Sequence, residues 1–374
     1  MTRPDPFGAD SIRPIQAGAD RRSLPKIVHV MPYDGIGGVE IAATSVPAGR
    51  YPDFVFWKAY VASKGQPVPR PYVYDAGIGP ENNPVAFIRT IFHLVGTKPD
   101  VLILSLWRSC IVGLVVKLFR PRTRLVIFLH NIRHSNAVDA VLTHLTARAS
   151  QAIWADSAST ASLRLGSAYA ARTRPISFLT ARLESVTGAA PAPRFITWGR
   201  LHARKQIELA LDFFAAVHAQ HPAARFTIIG PDRGEGPMLK ARVAALGLSD
   251  AVIFAGAADL PSITRHAADA AFFIQTSRAE GMGMAVVEAM QLGLVPVVTP
   301  VGEIGAYVKD GVNGVWFSTP DAACRQIEAL LDDPVAYRAM SLEAQLTWRE
   351  RPLYRDEFLA ACAELLVEPG RVGR

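Results

Sequence analysis

The chain has 374 residues, half of them hydrophobic and a fifth charged, with 40 Lys and Arg against 33 Asp and Glu for a formal charge of +7. That length and composition suit a globular protein of two ordinary domains with large cores. No apolar run reaches the ~18–20 residues of a membrane span, and the scattered Cys110, Cys324 and Cys362 offer neither a metal spacing nor a disulfide framework, so a reducing cytoplasm is expected.

Residues 1–25 carry Pro, Asp and Arg without an apolar core and read as a disordered leader rather than a signal peptide. A first run of apolar strands follows at Ile27–Met31, Phe54–Val61, Tyr72–Tyr74, Val101–Leu106, Leu125–Leu129 and Ala152–Ala155, with helical stretches near Pro84–Val95, Ile111–Leu118 and Ala137–Ala149. The first strand leads into Asp34-Gly35-Ile36-Gly37-Gly38-Val39-Glu40, a glycine turn that lets backbone N–H groups approach an anion but lacks the dinucleotide fingerprint. Near the end of another strand stands His130, in a loop that continues to Arg133 and His134.

This half is basic. Residues 1–190 hold 22 Lys and Arg against 12 Asp and Glu, and the remainder 18 against 21. The excess is densest at Lys117, Arg120, Arg122, Arg124 and Arg133, interleaved with Leu118, Phe119 and Leu125. Such a surface favours an anionic membrane or an acidic polymer. Nucleic acid is not expected, because no helix-turn-helix, zinc or RNA-sheet motif accompanies the charge.

Ser185–Pro193 breaks both periodicities with Gly, Ala and Pro and is read as the linker, with the boundary between residues 188 and 189. A second alternation follows. Its strands are Phe195–Trp198, Arg225–Ile229, Val252–Phe254, Ala271–Ile274, Val295–Val298 and Val315–Phe317, and its helices lie near Gln206–Gln220, Met238–Ala245, Ala285–Leu292 and Ile304–Val308. Asp321–Leu331, Pro334–Gln345 and the amphipathic Tyr354–Leu366 close the chain as helices. Alternating strands and helices predict an α/β protein with two parallel sheets.

The second half holds the chemistry. Its first strand delivers Arg200, and Lys205 follows in the loop or helix start, two cations suited to a diphosphate. Glu280 and Glu288 bracket Gly281, Met282, Gly283 and Met284 between a strand and a helix. Eight helical residues rise about 12 Å, the span of a sugar-diphosphate-ribose unit along a helix start. The N-terminus itself is an anion site. Paired glutamates are usually a solvated face, but strand, loop, helix, strand places Glu280 where parallel sheets bind ligands. No D-x-D stands at a strand end, so Arg200 and Lys205, and no metal, are expected to meet the diphosphate.

Together these pieces resemble the retaining, nucleotide-sugar-dependent glycosyltransferases of the GT-B fold, family 4 (group 1). The likeness runs through Gly199-Arg200-Leu201 with Lys205, Ile228-Ile229-Gly230, Gly234-Glu235-Gly236-Pro237, Val252–Gly256, the Glu280–Met290 run and Asn313-Gly314. In the first half, Gly37-Gly38, His130 and Ala155-Asp156-Ser157 fall in the matching order. The resemblance implies two Rossmann-like domains facing across a cleft: 26–188 for the acceptor, 189–350 for the nucleotide sugar, and 351–374 as a helix returning to the first domain. It implies that Arg200 and Lys205 neutralise the donor diphosphate, Glu288 holds the ribose and Glu280 sits beside the sugar. Gly281–Met284 would offer N–H groups, Gly37 and Gly38 would approach the diphosphate, His130 would face the reacting carbon, and Gly256, Ala257 and Ala258 would line the base.

The sequence departs from the family where Gln206 replaces a glycine, Met282 an aromatic, and Gly302-Glu303-Ile304-Gly305-Ala306 the usual G-G-x-P-E. The expected activity is metal-independent transfer of a hexose from a nucleotide diphosphate sugar, with no cofactor, to a glycan or lipid-linked acceptor in cell-surface polysaccharide or glycolipid synthesis. The expected location is the cytoplasm, peripheral on the inner membrane face. An epimerase, a phosphorylase or a non-catalytic nucleotide-sugar-binding scaffold is the alternative.

Overall fold

The computed structural model describes residues 24–34, 38–63, 70–77, 79–80, 82–186 and 191–367, so Gly37 and nearly all of the expected leader lie outside the described residues. The chain divides into two compact units, residues 1–181 with 352–374, and residues 182–351. Among the described residues no helix is long and apolar enough to cross a membrane.

Among its described residues unit one holds eight strands: β1 (Lys26–Asp34), β2 (Gly49–Arg50), β3 (Val55–Ser63), β4 (Val73–Asp75), β5 (Val101–Ser105), β6 (Arg124–Leu129), β7 (Ala152–Ala155) and β8 (Thr173–Pro175). They run in the order β2-β3-β1-β5-β6-β7-β8, with β4 also beside β3, and all pairings are parallel except β2 with β3. Five helices connect them: α1 (Gly38–Ser45), α2 (Pro84–Thr97), α3 (Leu106–Phe119), α4 (Ala137–Ala149) and α5 (Ala158–Leu165). Strands buried on both sides must be apolar throughout, which is why Val101–Leu104 and Leu125–Leu129 are buried without interruption.

Unit two orders β11-β10-β9-β12-β13-β14, all parallel, from β9 (Arg194–Trp198), β10 (Arg225–Ile229), β11 (Val252–Gly256), β12 (Phe272–Gln275), β13 (Val295–Val298) and β14 (Val315–Trp316). Its helices are α6 (Ile207–Gln220), α7 (Gly236–Ala245), α8 (Leu260–Ala267), α9 (Met284–Gln291), α10 (Ile304–Tyr307), α11 (Pro320–Asp332) and α12 (Pro334–Arg349). Phe195, Phe213, Phe214, Phe226 and Phe272 form the centre of its core. Burying such rings removes about 150–250 Å² each from water.

The last helix, α13 (Tyr354–Glu364), packs in unit one. Phe358 sits among Phe56, Phe128, Trp154 and Tyr354, and Glu357 accepts from the Ser177 backbone N–H at 2.6 Å.

Several boundaries differ from the sequence reading. The division falls at Ala181 rather than in Ser185–Pro193. Leu183 N–H donates to Gln291 Oε1 at 3.2 Å and Val186 N–H to Leu292 O at 3.1 Å, which ties residues 182–186 into unit two. β1 runs on to Asp34, and Leu106 begins α3 rather than ending a strand. Helices α1, α5 and α8 are eight residues long, too short for a helical periodicity to be read from the sequence. Such short sequences, GVEIAATS, ASTASLRL and LPSITRHA, become helices only against the sheets.

Candidate functional site

The order of unit two reverses between β9 and β12, which makes their carboxyl ends the topological switch point where open α/β sheets hold ligands. Four of the residues predicted from sequence, Arg200, Lys205, Glu280 and Glu288, lie there. Gly199 follows β9 at φ +135°, Gly230 follows β10 at φ +149°, and a Cβ on Gly230 would stand 1.7 Å from the Gly199 carbonyl oxygen. Two glycines therefore let these strand ends touch. After a short turn at Ala203–Lys205 the chain folds back, and Gln206, the residue standing for the family glycine, takes a left-handed φ of 48° to start α6.

Lys205 Nζ thereby lies 2.9 Å from Glu280 Oε1, and it also donates to Gln275 Oε1 at 3.3 Å. Lys205 and Glu280 are 18% and 10% exposed, so the pair is screened little by solvent. On α9, Glu288 Oε2 accepts from the Trp198 indole N–H at 2.7 Å. Burial pushes the Glu288 carboxyl above its ordinary range, against the pull of the Trp198 hydrogen bond and the Lys205 charge. A cavity joins Trp198, Gly199, Arg200, Lys205 and Gln275. Arg200 is exposed on its rim and makes no ion pair with another described residue.

Gly283 opens α9 at φ +69° and ψ 55° without a side-chain cap, which leaves the N–H groups of Met284 and Ala285 for a ligand. The loop before it is braced from behind. A Cβ on Gly302, at φ +59°, would meet the Glu280 carbonyl oxygen at 2.0 Å, Glu303 N–H donates to Gly281 O at 3.0 Å, and the Tyr307 hydroxyl donates to Met282 O at 2.6 Å. The run that departs from the family pattern therefore shapes the Glu280–Gly283 loop through backbone and tyrosine contacts.

Gly256, Ala257 and Ala258 are exposed at the end of the edge strand β11. Gly256 O accepts from Gly230 N–H at 2.7 Å and so borders the glycine pair, but Ala257 and Ala258 do not line the cavity of Lys205.

In unit one the strand order turns between β1 and β5. His29 on β1, Ser105 at the end of β5 and His130 after β6 form one buried chain. Ser105 Oγ lies 2.7 Å from His29 Nε2 and 2.9 Å from His130 Nε2. Burial, with the nearby Lys58 ammonium, lowers His29 to about 3. Burial, with His29 and Arg164, also holds His130 well below its ordinary value. Both rings are therefore neutral. The single hydroxyl proton of Ser105 can satisfy only one of them, so the tautomers of the two histidines are coupled. His130 Nδ1 is buried and has no partner among the described residues. Leu106 takes a left-handed φ of 66° directly after Ser105, a strain of about 1–2 kcal/mol at the turn that presents the hydroxyl. Gly38 begins α1, with ordinary room beside Phe178.

Sequence reasoning missed Trp198, Gln275, His29 and Ser105. Each is a polar or amphipathic side chain inside or ending an apolar strand, as in Phe272-Phe273-Ile274-Gln275 and Val101-Leu102-Ile103-Leu104-Ser105, and that interruption was the available signal.

Residues 186–347 match the family described as Glycosyl transferases group 1. The chain is 27% identical over 170 residues, 43% of either chain, to GDP-mannose:cellobiosyl-diphosphopolyprenol alpha-mannosyltransferase of Komagataeibacter xylinus. It is 34% identical over 160 residues, 40% of this chain and 43% of the other, to a lipopolysaccharide core biosynthesis mannosyltransferase of Rhizobium meliloti. The chain thus spans less than half the length of these curated relatives. Among solved structures, Anabaena Alr3699/HepE in complex with UDP-glucose superposes with a TM-score of 0.73 at 19% identity, covering 92% of this chain and all of the other. Sucrose-phosphate synthase from Thermosynechococcus elongatus gives 0.69 at 16%, covering 92% and 99%. The fold is GT-B.

Proposed function

We propose, from a chain whose residues 186–347 match the model of the group 1 glycosyl transferases, that this protein transfers a hexose from a nucleotide diphosphate sugar to an acceptor hydroxyl. The observation that carries the reading is the Lys205–Glu280 ion pair set beside the Trp198–Glu288 hydrogen bond at the switch point of unit two.

The chemistry follows from the charges. As the sugar–phosphate bond breaks, negative charge grows on the leaving diphosphate and positive, oxocarbenium-like charge on the sugar. Arg200, the remaining N–H of Lys205 and the open N–H groups at the start of α9 stabilise the diphosphate without reorganising. Glu280 orients the sugar, and Glu288 holds the ribose hydroxyls. Retention of configuration belongs to the same proposal, with the leaving phosphate accepting the acceptor proton. So does metal independence, since two cations and a helix N-terminus supply the positive charge that a metal would otherwise bring. Unit one takes the acceptor, and His130 Nδ1 is its proposed hydrogen-bonding group.

The relatives named above support the acceptor class. One acts on a diphosphopolyprenol-linked sugar and another builds a lipopolysaccharide core, which suits a glycan or lipid-linked acceptor and polysaccharide or glycolipid synthesis. A cytoplasmic enzyme attached peripherally to the inner membrane face through its basic half, with no nucleic-acid partner, completes the proposal.

A panel of UDP-, GDP- and ADP-sugars tests it. One should bind in the micromolar range and be hydrolysed slowly without acceptor, in the presence of EDTA, with the anomer retained on transfer. Binding with neither hydrolysis nor transfer would identify a scaffold instead.

A further inference from the structure

We propose that the outer face of α2, α3 and α4 docks on a bilayer of anionic lipid, with arginines meeting the headgroups and apolar side chains entering between them. The inference deepens the peripheral attachment proposed above and rests on that reading for its biological setting.

Residues 82–155 contain nine cations, Arg89, Lys98, Arg108, Lys117, Arg120, Arg122, Arg124, Arg133 and Arg148, and only two carboxylates, Asp100 and Asp139. One carboxylate is buried, and the other is exposed ahead of β5. Asp139 is 1% exposed and paired with Arg164. Asp100 accepts from the Lys26 backbone N–H, ahead of the start of β5. The layer therefore carries a large excess of positive charge.

It also presents apolar surface that an ordinary solvated helix would cover with polar residues. On α2, Val85, Ile88 and Phe92 follow each other at helical spacing and are 53%, 52% and 73% exposed. At the end of α3, Leu118 and Phe119 are 80% and 66% exposed. On α4, Val138, Val141 and Leu145 repeat the spacing at 55%, 58% and 50%. The three helices lie side by side on one face of the sheet. Ala86 and Leu94 of α2 share a core with Val112 and Val116 of α3, and Cys110 of α3 shares another with Ala147 of α4. Single exposed apolar residues are common, but stripes on α2 and α4, with two large apolar side chains at the end of α3 between them, are more than scattered exposure.

Arginines sit within a turn of these groups: Arg89 beside Phe92, Arg122 after Phe119, and Arg148 beyond Leu145. Apolar stems going down with guanidinium heads at headgroup level is the arrangement of interfacial helices. A nucleic acid would leave the apolar stripes unpaired. A second copy in a two-fold dimer would set like charges face to face.

The experiment is flotation of the full chain with vesicles of phosphatidylcholine alone or with phosphatidylglycerol, at low and physiological salt. Two triple variants join the wild type, Arg89→Gln/Arg122→Gln/Arg148→Gln and Phe92→Ser/Leu118→Ser/Phe119→Ser. The wild type should float with anionic vesicles only. Each lost cation should weaken partition about fivefold, and the apolar triple should weaken it roughly tenfold or more. Circular dichroism and nucleotide binding in the absence of lipid should remain as in the wild type. The proposal is overturned if the wild type does not float, if it floats equally with neutral vesicles, or if the apolar triple floats like the wild type. A self-associated wild type that the apolar triple turns into monomers would overturn it too. Failure of the transfer reading would appear separately, as absent nucleotide binding by a chain that still floats.

Discussion

The Trp198 indole N–H donates to Glu288 Oε2 at 2.7 Å, in a site where Glu288 is otherwise taken from water. The bond fixes one carboxylate oxygen and leaves the other to a ligand. Phe273, 4.4 Å from the indole in an edge-on contact, holds the ring in place. Trp198→Phe keeps that packing and removes the donor. Losing a hydrogen bond to a charged acceptor costs about 1.5–3 kcal/mol, so nucleotide affinity by calorimetry should fall at least tenfold, with kcat altered far less than KM. Unchanged affinity would mean that Glu288 does not need its orienting bond.

Arg200→Ala and Lys205→Ala should each lower turnover by about 10²–10³, the usual effect of removing one preorganised charge from a transition state. The two variants separate in stability. Arg200 is exposed and should leave the melting temperature unchanged, whereas loss of Lys205 strands a carboxylate that is 10% exposed and should cost about 1–3 kcal/mol. Normal turnover by both variants would remove the diphosphate assignment.

Glu288 carries a pH signature. Its carboxyl is raised by burial, so the folded protein binds its proton more tightly than the unfolded chain. The stabilising contribution is complete below the ordinary glutamate range and is lost as pH rises through the folded value. Glu288→Gln cannot ionise. It should melt higher than the wild type at neutral pH, with the gap closing in acid, while binding nucleotide more weakly. A gap independent of pH would contradict the buried, raised carboxylate.

The histidine chain has the opposite sign. His29 is depressed to about 3 from its ordinary 6.5, so its neutral burial stabilises the fold above the ordinary range, and that contribution is lost as pH falls from there toward 3. The loss approaches about 1.4 kcal/mol per pH unit. Urea unfolding of the wild type should weaken steeply below pH 6.5, and His29→Gln should flatten that slope. Ser105→Ala breaks the link between the rings, and in an active preparation it should change the pH profile of kcat rather than nucleotide affinity.

The sequence by itself determined the two parallel sheets, because uninterrupted apolar strands alternating with helices have no other good way to bury both faces. It also singled out Arg200, Lys205 and Glu280, whose charges stand close to glycines after strand ends, and Glu288 in the helix that Gly283 opens. Only the tertiary structure decided the partners. Trp198 and Glu288 are 90 residues apart, Lys205 and Gln275 are 70 apart, and Ser105 stands 76 residues from His29 and 25 from His130. Periodicity reports which face of an element is buried. Which strands become neighbours depends on sheet order and on close approaches such as that of Gly230 to Gly199, and these are long-range contacts that no local pattern records.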